Sequence, residues 1–469
     1  MYFHTWSFAV FFLIAYVAYV LLRPTRFAMP CLLGASYIFY AWGKPSAATA
    51  VLYLILIFYV SLFDYLAVLL MSLTGRRKFF LVLSLLNGIT LLALFKYGAF
   101  VSEAVNSLLS LLGIPYHLPA LDLFVPVGLS FYIFQSMTYT IDCYRGRIPR
   151  EKSFLRYAAF VAFFPRLLAG PIERAARFLP QLAKRPRISM NDVADGASLF
   201  IVGLFKKLAL ADYLALYVNN VYDAPHRFGS PALALAAFLF SWQIYFDFSG
   251  YSDMARGLAR MMGMRVMLNF NNPYLATGLS DFWRRWHISL SSWFRDYLYI
   301  PLGGNRRGTT RTYCNITAVM LVSGLWHAGV FSGTALTFLV WALLHAAAAC
   351  ATYNLEKSAF YRRKIPRLLK QLFVFVFVTF AWIFFRAATL DDAWTIVTGI
   401  FTAGFADPRC PLLGLIMILA VWLYQFAYES RLRTFLELRP VRIGTVVLMI
   451  LYLAVFAPSS PRPFIYLQF

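Results

Sequence analysis

Apolar runs of about the length of a membrane-spanning helix recur along almost the whole chain. A helix needs roughly 17–25 mostly apolar residues to cross a bilayer. Only 13% of the 469 residues are charged and 61% are hydrophobic, whereas soluble proteins carry about 25% charged residues. The pattern predicts an all-α integral membrane protein, a single domain over residues 1–469, with about twelve transmembrane helices, at 6–22, 27–43, 48–73, 79–95, 121–141, 193–215, 232–250, 313–331, 334–353, 371–385, 412–427 and 443–458.

The basic residues lie mostly in alternate loops between these runs, and this indicates the orientation of the chain. If Met1 is outside, 34 of the 43 Lys and Arg residues fall on the cytoplasmic side and six fall outside. Cytoplasmic loops of membrane proteins are enriched in Lys and Arg, so this orientation is favoured. Because these loops account for the net charge of +23, no nucleic-acid partner is expected.

One apolar segment, residues 154–172, does not fit a simple crossing because it contains Pro165, Arg166, Gly170 and Pro171. If it crossed, the basic stretch 174–187 would move outside and every later loop would change sides. We therefore expect this segment to be re-entrant. Irregular backbone at membrane depth is tolerated only where protein or a water-filled cavity covers it, so a cavity is implied.

Residues 245–307 combine acidic, basic and tryptophan residues in a stretch too polar to face lipid. If 281–298 is helical, one face carries large apolar residues together with a histidine, namely Trp283, Trp286, His287, Leu290 and Phe294. One interpretation is an interfacial helix anchored by Trp and Arg around a structural histidine. The other places His287 in a cavity wall, with the arginines available for an anionic acyl donor. The spacing leaves both interpretations open.

A second histidine, His327, follows in the segment SGLWHAG, four residues before the outer end of its predicted span. A histidine inside a membrane helix is often only hydrogen bonded to a neighbouring helix, but a neutral imidazole is also suited to taking a proton at neutral pH. His345, eighteen residues later, is open to the same two interpretations. The three histidines lack the spacing of a zinc site, and no metal is expected.

At these residues the chain resembles the membrane-bound O-acyltransferase family, in particular its bacterial branch that acetylates alginate. The resemblance is carried by blocks that follow one another along most of the chain: PVGLSFYIFQSMTYTIDCYRG (126–146), FPRLLAGPIER (164–174), YFDFSGYSDMARG (245–257), NFNNPYLATGLSDFWRRWHISLSSWFRDYLYIPLGGNRRG (269–308), SGLWHAG (323–329) and the closing PFIYLQF (463–469).

The resemblance implies a ring of helices and re-entrant segments around a thinned centre, with a central tunnel from the cytoplasm to the outer face of a bacterial inner membrane. It implies transfer of an acyl group, such as acetyl from acetyl-CoA, to an exported polysaccharide, directly or through a periplasmic or extracellular partner acyltransferase. The histidine of GLWH, His327, is implied as the catalytic residue, and that of RRWHISL, His287, as the second. No bound cofactor is expected.

Six further residues of these blocks are expected to contact the substrates. His287 and its neighbours would meet the donor on the cytoplasmic side, whereas His327 would lie towards the outer acceptor. The expected substrate-binding residues are Arg284, Arg285, Trp286, Asp253, Asn269 and Trp326.

The sequence departs from the family pattern at three places. The usual GLWHGA is GLWHAG here, an FPHL-like segment carries Arg166, and the usual WGxxHG has Ala342 and Ala346 in place of glycine. A lost glycine changes how closely backbone or substrate can approach, so the acyl group and the acceptor stay open. A transporter or flippase of a glycan or lipid precursor, and a scaffold without chemistry, are the alternative functions.

Overall fold

The computed structural model describes residues 1–119, 125–328, 334–457 and 462–465. Every regular element in these ranges is a helix, so the all-α prediction is confirmed for the described residues. Some predicted features lie outside them: the start of the 121–141 run, residues 329–331, residue 458 and the last four residues of the closing motif.

The described chain divides into two compact units. Of the described residues, the first unit comprises those within 1–200 and 251–267, and the second comprises those within 201–250 and 268–465. Helix Ser230–Met261 contributes residues to both. The prediction of one domain over the whole chain stays a prediction.

The first unit contains seven complete α-helices among its described residues. The longest, Arg77–Leu111, joins the predicted run 79–95 to the polar stretch that follows it. The seven helices are α1 (Trp6–Leu22), α2 (Ala28–Ala41), α3 (Ala47–Thr74), α4 (Arg77–Leu111), α5 (Leu129–Tyr144), α6 (Phe154–Ala162) and α7 (Ala175–Lys184).

The segment that was expected to be re-entrant is broken. Helix α6 has nine residues, about 14 Å at the rise of an α-helix, and irregular backbone follows it up to Arg174. Residues 157–173 of this segment, in the helix and after it, are buried. A helix of this length cannot cross the hydrocarbon core of about 30 Å, as the charge count required; re-entry itself stays a prediction.

The second unit begins within α8 (Met190–Phe205), which continues as a π-helix, Lys206–Ala211. Its later helices and the segments between them carry most of the predicted site residues. The α-helices that follow are α9 (Asp212–Tyr222), α10 (Ser230–Met261), α11 (Leu279–Arg285), α12 (Ile288–Phe294), α13 (Gly308–His327), α14 (Thr334–Tyr353), α15 (Ala359–Lys364), α16 (Arg367–Arg386), α17 (Leu390–Thr402), α18 (Leu412–Tyr428), α19 (Arg433–Leu436) and α20 (Arg439–Phe456).

Helices α13 and α14 pack closely because one of the facing residues is a glycine. A Cβ added at Gly324 would lie 2.8 Å from the Cβ of Ala342 and 2.9 Å from the carbonyl oxygen of Phe338. Small residues let helix backbones approach in this way in membranes. The close approach brings the end of α13, where His327 lies, against the aromatic residues of α14.

Six helices of the described residues are long and apolar enough to cross a membrane: Ala47–Thr74, Arg77–Gly98, Ser230–Met261, Leu336–Tyr353, Arg367–Arg386 and Arg439–Phe456. Helices α1, α2 and α18 are apolar but shorter. The last helix, α20, buries none of its residues, as is typical of a helix whose solvent is lipid. A multi-pass membrane protein is confirmed, and the number of twelve crossings stays a prediction.

Candidate active site

His327 is the last residue of α13 and is buried among aromatic rings. Its imidazole centroid lies 5.6 Å from the Trp341 ring and 5.3 Å from the Phe385 ring, both in edge-to-face arrangements. Trp341 belongs to α14 and Phe385 to α16. The predicted catalytic histidine is thus held by three helices of one unit.

Trp326 connects the two candidate histidines. Its ring lies 4.7 Å from that of His327 and 6.3 Å from that of His287, centroid to centroid. The Phe248 ring of α10 packs against His287 at 4.6 Å. The structure therefore brings together His287, Trp326 and His327, which are up to forty positions apart in the sequence.

Residues 281–298 do not form the continuous helix on which the shared face of Trp283, Trp286 and His287 depended. Helix α11 ends at Arg285, Trp286 is extended, and His287 has a left-handed backbone with φ 43° before α12 begins at Ile288. Beyond α12 the chain continues as a π-helix, Arg295–Tyr299, which is wound more loosely than an α-helix. The break separates His287 from the helical face on which the spacing had placed it.

Asn269 explains the break, because its hydrogen bonds replace those of a continuous helix. Its backbone oxygen accepts from the N–H of Ile288 at 2.9 Å. Its Oδ1 accepts from the Ser289 N–H at 3.2 Å and from the Ser289 hydroxyl at 3.0 Å. Asn269 is fully buried, so these bonds hold the His287 turn from a distant part of the chain.

Burial sets the charge of His287. Its side chain is 1% exposed, and desolvation lowers the pKa of its imidazole to about 3. The group is therefore neutral at the pH of a cell. A neutral imidazole can donate one hydrogen bond and accept another.

Trp286 is buried among aromatic rings. Its centroid lies 5.0 Å from the rings of both Phe270 and Trp382, and it stacks on Phe282 at 5.6 Å. These contacts fix the chain immediately before His287.

The two arginines at the end of α11 differ in how far their charge is already paired. Arg284 is 68% exposed, with Asp281 at 3.7 Å. Arg285 is mostly buried and pairs with Asp281 at 3.2 Å and with Glu429 at 2.6 Å. Arg284 is therefore the more available of the two to an anionic ligand.

Asp253 belongs to the first unit, unlike the other predicted site residues. It lies on α10, where its carboxylate pairs with Arg256 one turn along the helix, at 3.1 Å.

His345 is completely buried on α14. Its ring lies 5.0 Å from Trp283 and 5.1 Å from Trp341, and neither ring nitrogen has a hydrogen-bond partner among the described residues. The Trp341 ring thus contacts both His327 and His345. No group of three potential metal ligands occurs in the described ranges.

A buried charge cluster in the second unit was not predicted. The Lys207 ammonium, on the π-helix, lies 2.7 Å from Asp247 and 2.9 Å from Asp212. The N–H of Ile465 donates to Asp247 at 2.8 Å, and Lys207 donates to the Pro463 carbonyl at 3.2 Å. The cluster anchors part of the closing motif. Its sequence signals were a lysine within an apolar run and an acidic residue in the polar stretch 245–307.

Glu356 and Glu429 were also missed. The Glu356 carboxylate accepts from the N–H of Leu279, the first residue of α11, at 2.7 Å, and Glu429 pairs with Arg285 at the other end of that helix. Each is a single acidic residue far along the chain, and no local pattern indicates its partner.

The chain is similar to one family of membrane enzymes, both by a family model and by individual relatives. The family model of the membrane-bound O-acyltransferases matches residues 146–390. The chain is 38% identical to the probable alginate O-acetylase AlgI of Azotobacter vinelandii over 85% of its own length and 77% of that protein's. It is also 38% identical to the Pseudomonas aeruginosa protein of the same name, over 85% and 74% of the two lengths. The peptidoglycan O-acetyltransferase of Helicobacter pylori is 34% identical, over 69% and 65%.

The matched region contains every residue that was predicted for the site, from Asp253 to His327. The family match spans just over half of the chain, and the alginate O-acetylases align along most of it. The chain therefore belongs to the membrane-bound O-acyltransferase family, in the branch that holds the alginate O-acetylases, and is an O-acyltransferase.

Proposed function

We propose that this protein transfers an acetyl group from a cytoplasmic thioester, such as acetyl-CoA, across the membrane for O-acylation of an exported polysaccharide. His327 is the general base and His287 acts on the donor side. The polysaccharide receives the group directly or through a periplasmic or extracellular partner acyltransferase. The site lies in a bacterial inner membrane, in a tunnel enclosed by about twelve crossings and the re-entrant segment.

The observation that carries this proposal is the approach of two buried histidines around one tryptophan. His287 and His327 both contact the Trp326 ring, at 6.3 and 4.7 Å, and both are at most 6% exposed. Buried polar side chains in a membrane protein are expensive and tend to be functional. Of two imidazoles in one site, one can act on the acceptor hydroxyl and the other on the thioester carbonyl.

The transfer needs a base for the acceptor and a group that polarises the thioester. The imidazole of His327 takes the proton of an acceptor hydroxyl as its oxygen attacks the thioester carbonyl carbon. The neutral imidazole of His287 donates a hydrogen bond to the carbonyl oxygen, which becomes negative in the tetrahedral intermediate. The C–S bond then breaks, the thiolate leaves, and the proton held by His327 passes to it, so that ester and thiol are the products.

Charge supports the assignment of the donor side. His287 follows Arg284, whose exposed guanidinium suits the phosphates of a coenzyme A thioester. The excess of basic residues on the predicted cytoplasmic side supports the proposal that this segment faces the compartment where such a donor is made. Trp286, Asn269 and Trp326 then shape the site around the donor, and we keep Asp253 as a contact of the substrate path.

The acceptor and the acyl group are proposed from the relatives. Two of them carry the name alginate O-acetylase and one the name peptidoglycan O-acetyltransferase. All three names specify transfer of an acetyl group to a polymer, alginate or peptidoglycan. We propose the same class of acceptor here.

Mass spectrometry of surface polysaccharide tests the proposal. Cells that contain the protein should carry ester-linked acetyl groups on an exported glycan, and cells with His327→Ala protein of equal abundance should lose them. Equal ester content in both would contradict the proposal. A change in the amount of exported glycan at constant ester content would instead indicate a transporter.

A further inference from the structure

Glu429, at the C-terminal end of α18, joins two helices of the second unit. Its Oε1 accepts from Arg285 Nη1 of α11 at 2.6 Å, and its Oε2 accepts from Arg367 Nη2 of α16 at 2.6 Å. The Glu429 side chain is 19% exposed. Both carboxylate oxygens are thus engaged in charge-assisted bonds, which are about twice as strong as neutral ones.

Helix α11 depends on such partners because it has only seven residues. Isolated helices shorter than about 12–15 residues are marginal in water. At its start the N–H of Leu279 donates to Glu356 at 2.7 Å, and at its end Arg285 pairs with Glu429. A carboxylate from elsewhere in the chain therefore fixes each end of α11.

Arg285 is two residues before His287, so its position sets where the chain enters the His287 turn. Its carbonyl accepts from the N–H of Asn271 at 2.9 Å, and its Nη1 also donates to the Asn271 carbonyl at 3.3 Å. Asn271 in turn follows Asn269, which bonds to the residues after His287. Both sides of the turn are tied to the same segment.

The second partner of Glu429 leads to the other histidine. Arg367 is the first residue of α16, and the last turns of that helix carry Trp382 and Phe385. The Trp382 ring contacts Trp286 at 5.0 Å, and the Phe385 ring contacts His327 at 5.3 Å. Helix α16 thus touches the surroundings of both imidazoles.

From these contacts we propose that Glu429 is a positioning residue for acyl transfer. By holding Arg285 and Arg367 together, it fixes the turn that carries His287 with respect to α16 and hence to His327. The inference rests on the proposed function and deepens it. It also gives Arg285 the role of positioning the His287 turn, and leaves Arg284 as the arginine that binds the anionic donor.

A double-mutant cycle in steady-state kinetics tests the link. The Glu429→Gln, Arg285→Met and doubly substituted enzymes are compared with wild type in acetyl-CoA-dependent transfer, with kcat expressed per folded molecule. Because a small misplacement of a catalytic group is costly, kcat should fall about tenfold in each single variant. The double variant should be no slower than the singles, since both break one link, and the KM for acetyl-CoA should not change.

Two further variants separate position from stability. Glu429→Asp retains a carboxylate and should recover most of kcat. Glu437→Gln is the matched control: Glu437 also pairs with an arginine, Arg433 of α19 at 2.8 Å, but both side chains are about half exposed. Its kcat and KM should equal those of wild type.

Several results would overturn the inference. Unchanged kcat in folded Glu429→Gln protein would show that Glu429 only stabilises the fold. If the loss of kcat in the double variant equals the product of the two single losses, Glu429 and Arg285 act separately. A raised KM for acetyl-CoA in Arg285→Met alone would return Arg285 to donor binding. In each case wild-type transfer persists and the proposed function stands, whereas wild-type protein without any transfer would overturn both.

Discussion

The two histidines of the site are held in place in different ways. His327 ends a regular helix of twenty residues and packs against rings of α14 and α16. His287 lies at a break between two helices of seven residues each, with a positive φ. Its position depends on the hydrogen bonds of Asn269 and the ion pairs of Arg285.

This difference indicates where the site is vulnerable. A histidine in a long helix is positioned by the repeating hydrogen bonds of that helix and by many packing contacts, so loss of one distant neighbour matters little. A histidine at a left-handed backbone position needs its surroundings to maintain that conformation, which costs about 1–3 kcal/mol. Substitutions that spare both imidazoles should therefore act mainly through His287.

Replacement of His327 should have the largest effect on activity. His327→Gln retains a polar side chain of similar size but removes the base, and loss of general-base catalysis typically costs 10²–10⁴-fold. We expect kcat for acetyl transfer to fall by about that factor at an unchanged KM for the donor. Turnover by purified protein measures it, and a kcat near that of wild type would assign His327 to structure alone.

His287→Asn should have the next largest effect. Asparagine is one of the few residues that readily adopt a left-handed backbone, so this change removes the imidazole and retains the turn. Loss of one oxyanion donor costs about 10²–10³-fold, and we expect a loss at the lower end of that range in kcat/KM for acetyl-CoA. His287→Ala, which also strains the turn, should be slower still; equal activity of both variants and wild type would remove His287 from the reaction.

Asn269→Ala should have a smaller effect, because both imidazoles stay. It removes the two bonds that Oδ1 accepts from Ser289, and we expect kcat to fall by about tenfold through displacement of His287. Asn269→Asp is the matched control, since it retains a side-chain oxygen that can accept both bonds from Ser289. A loss in Asn269→Asp as large as in Asn269→Ala would show that the amide nitrogen, rather than the turn, is what matters.

The smallest effect on activity is expected from the buried charges at Lys207. Lys207→Met leaves Asp212 and Asp247 without their cation, and breaking a buried pair costs about 3–5 kcal/mol of folding free energy. Less folded protein should therefore be recovered, while kcat per folded molecule stays at the wild-type value. Denaturation monitored by tryptophan fluorescence gives the first quantity; a lowered kcat per folded molecule would connect the cluster to the reaction.

Features that depend on residues close together in the sequence could be predicted. The long apolar runs predicted helices, and α3, α4, α10, α14, α16 and α20 are candidate spans. Pro165 and Gly170 predicted the broken segment after α6, because neither residue suits a helix interior. The apolar run 313–331 predicted a helix that carries His327, and α13 ends at that residue.

Features that depend on contacts between distant residues could not be predicted. The spacing of Trp283, Trp286 and Leu290 indicated a continuous helix, but Asn269 supplies competing hydrogen bonds from ten or more residues away and the helix breaks at His287. Glu429 and Arg285 are 144 positions apart. Helical periodicity reports which face is apolar and carries no information on either partner.

Transfer by the purified protein tests the central claim most directly. Wild-type and His327→Gln protein, reconstituted in vesicles, are supplied with acetyl-CoA labelled in the acetyl group and with exported polysaccharide as acceptor, and label on the polysaccharide is counted. We expect wild-type protein to transfer label and His327→Gln protein to transfer almost none while still binding acetyl-CoA. Transfer at equal rates by both proteins would contradict the assignment of His327 as the base.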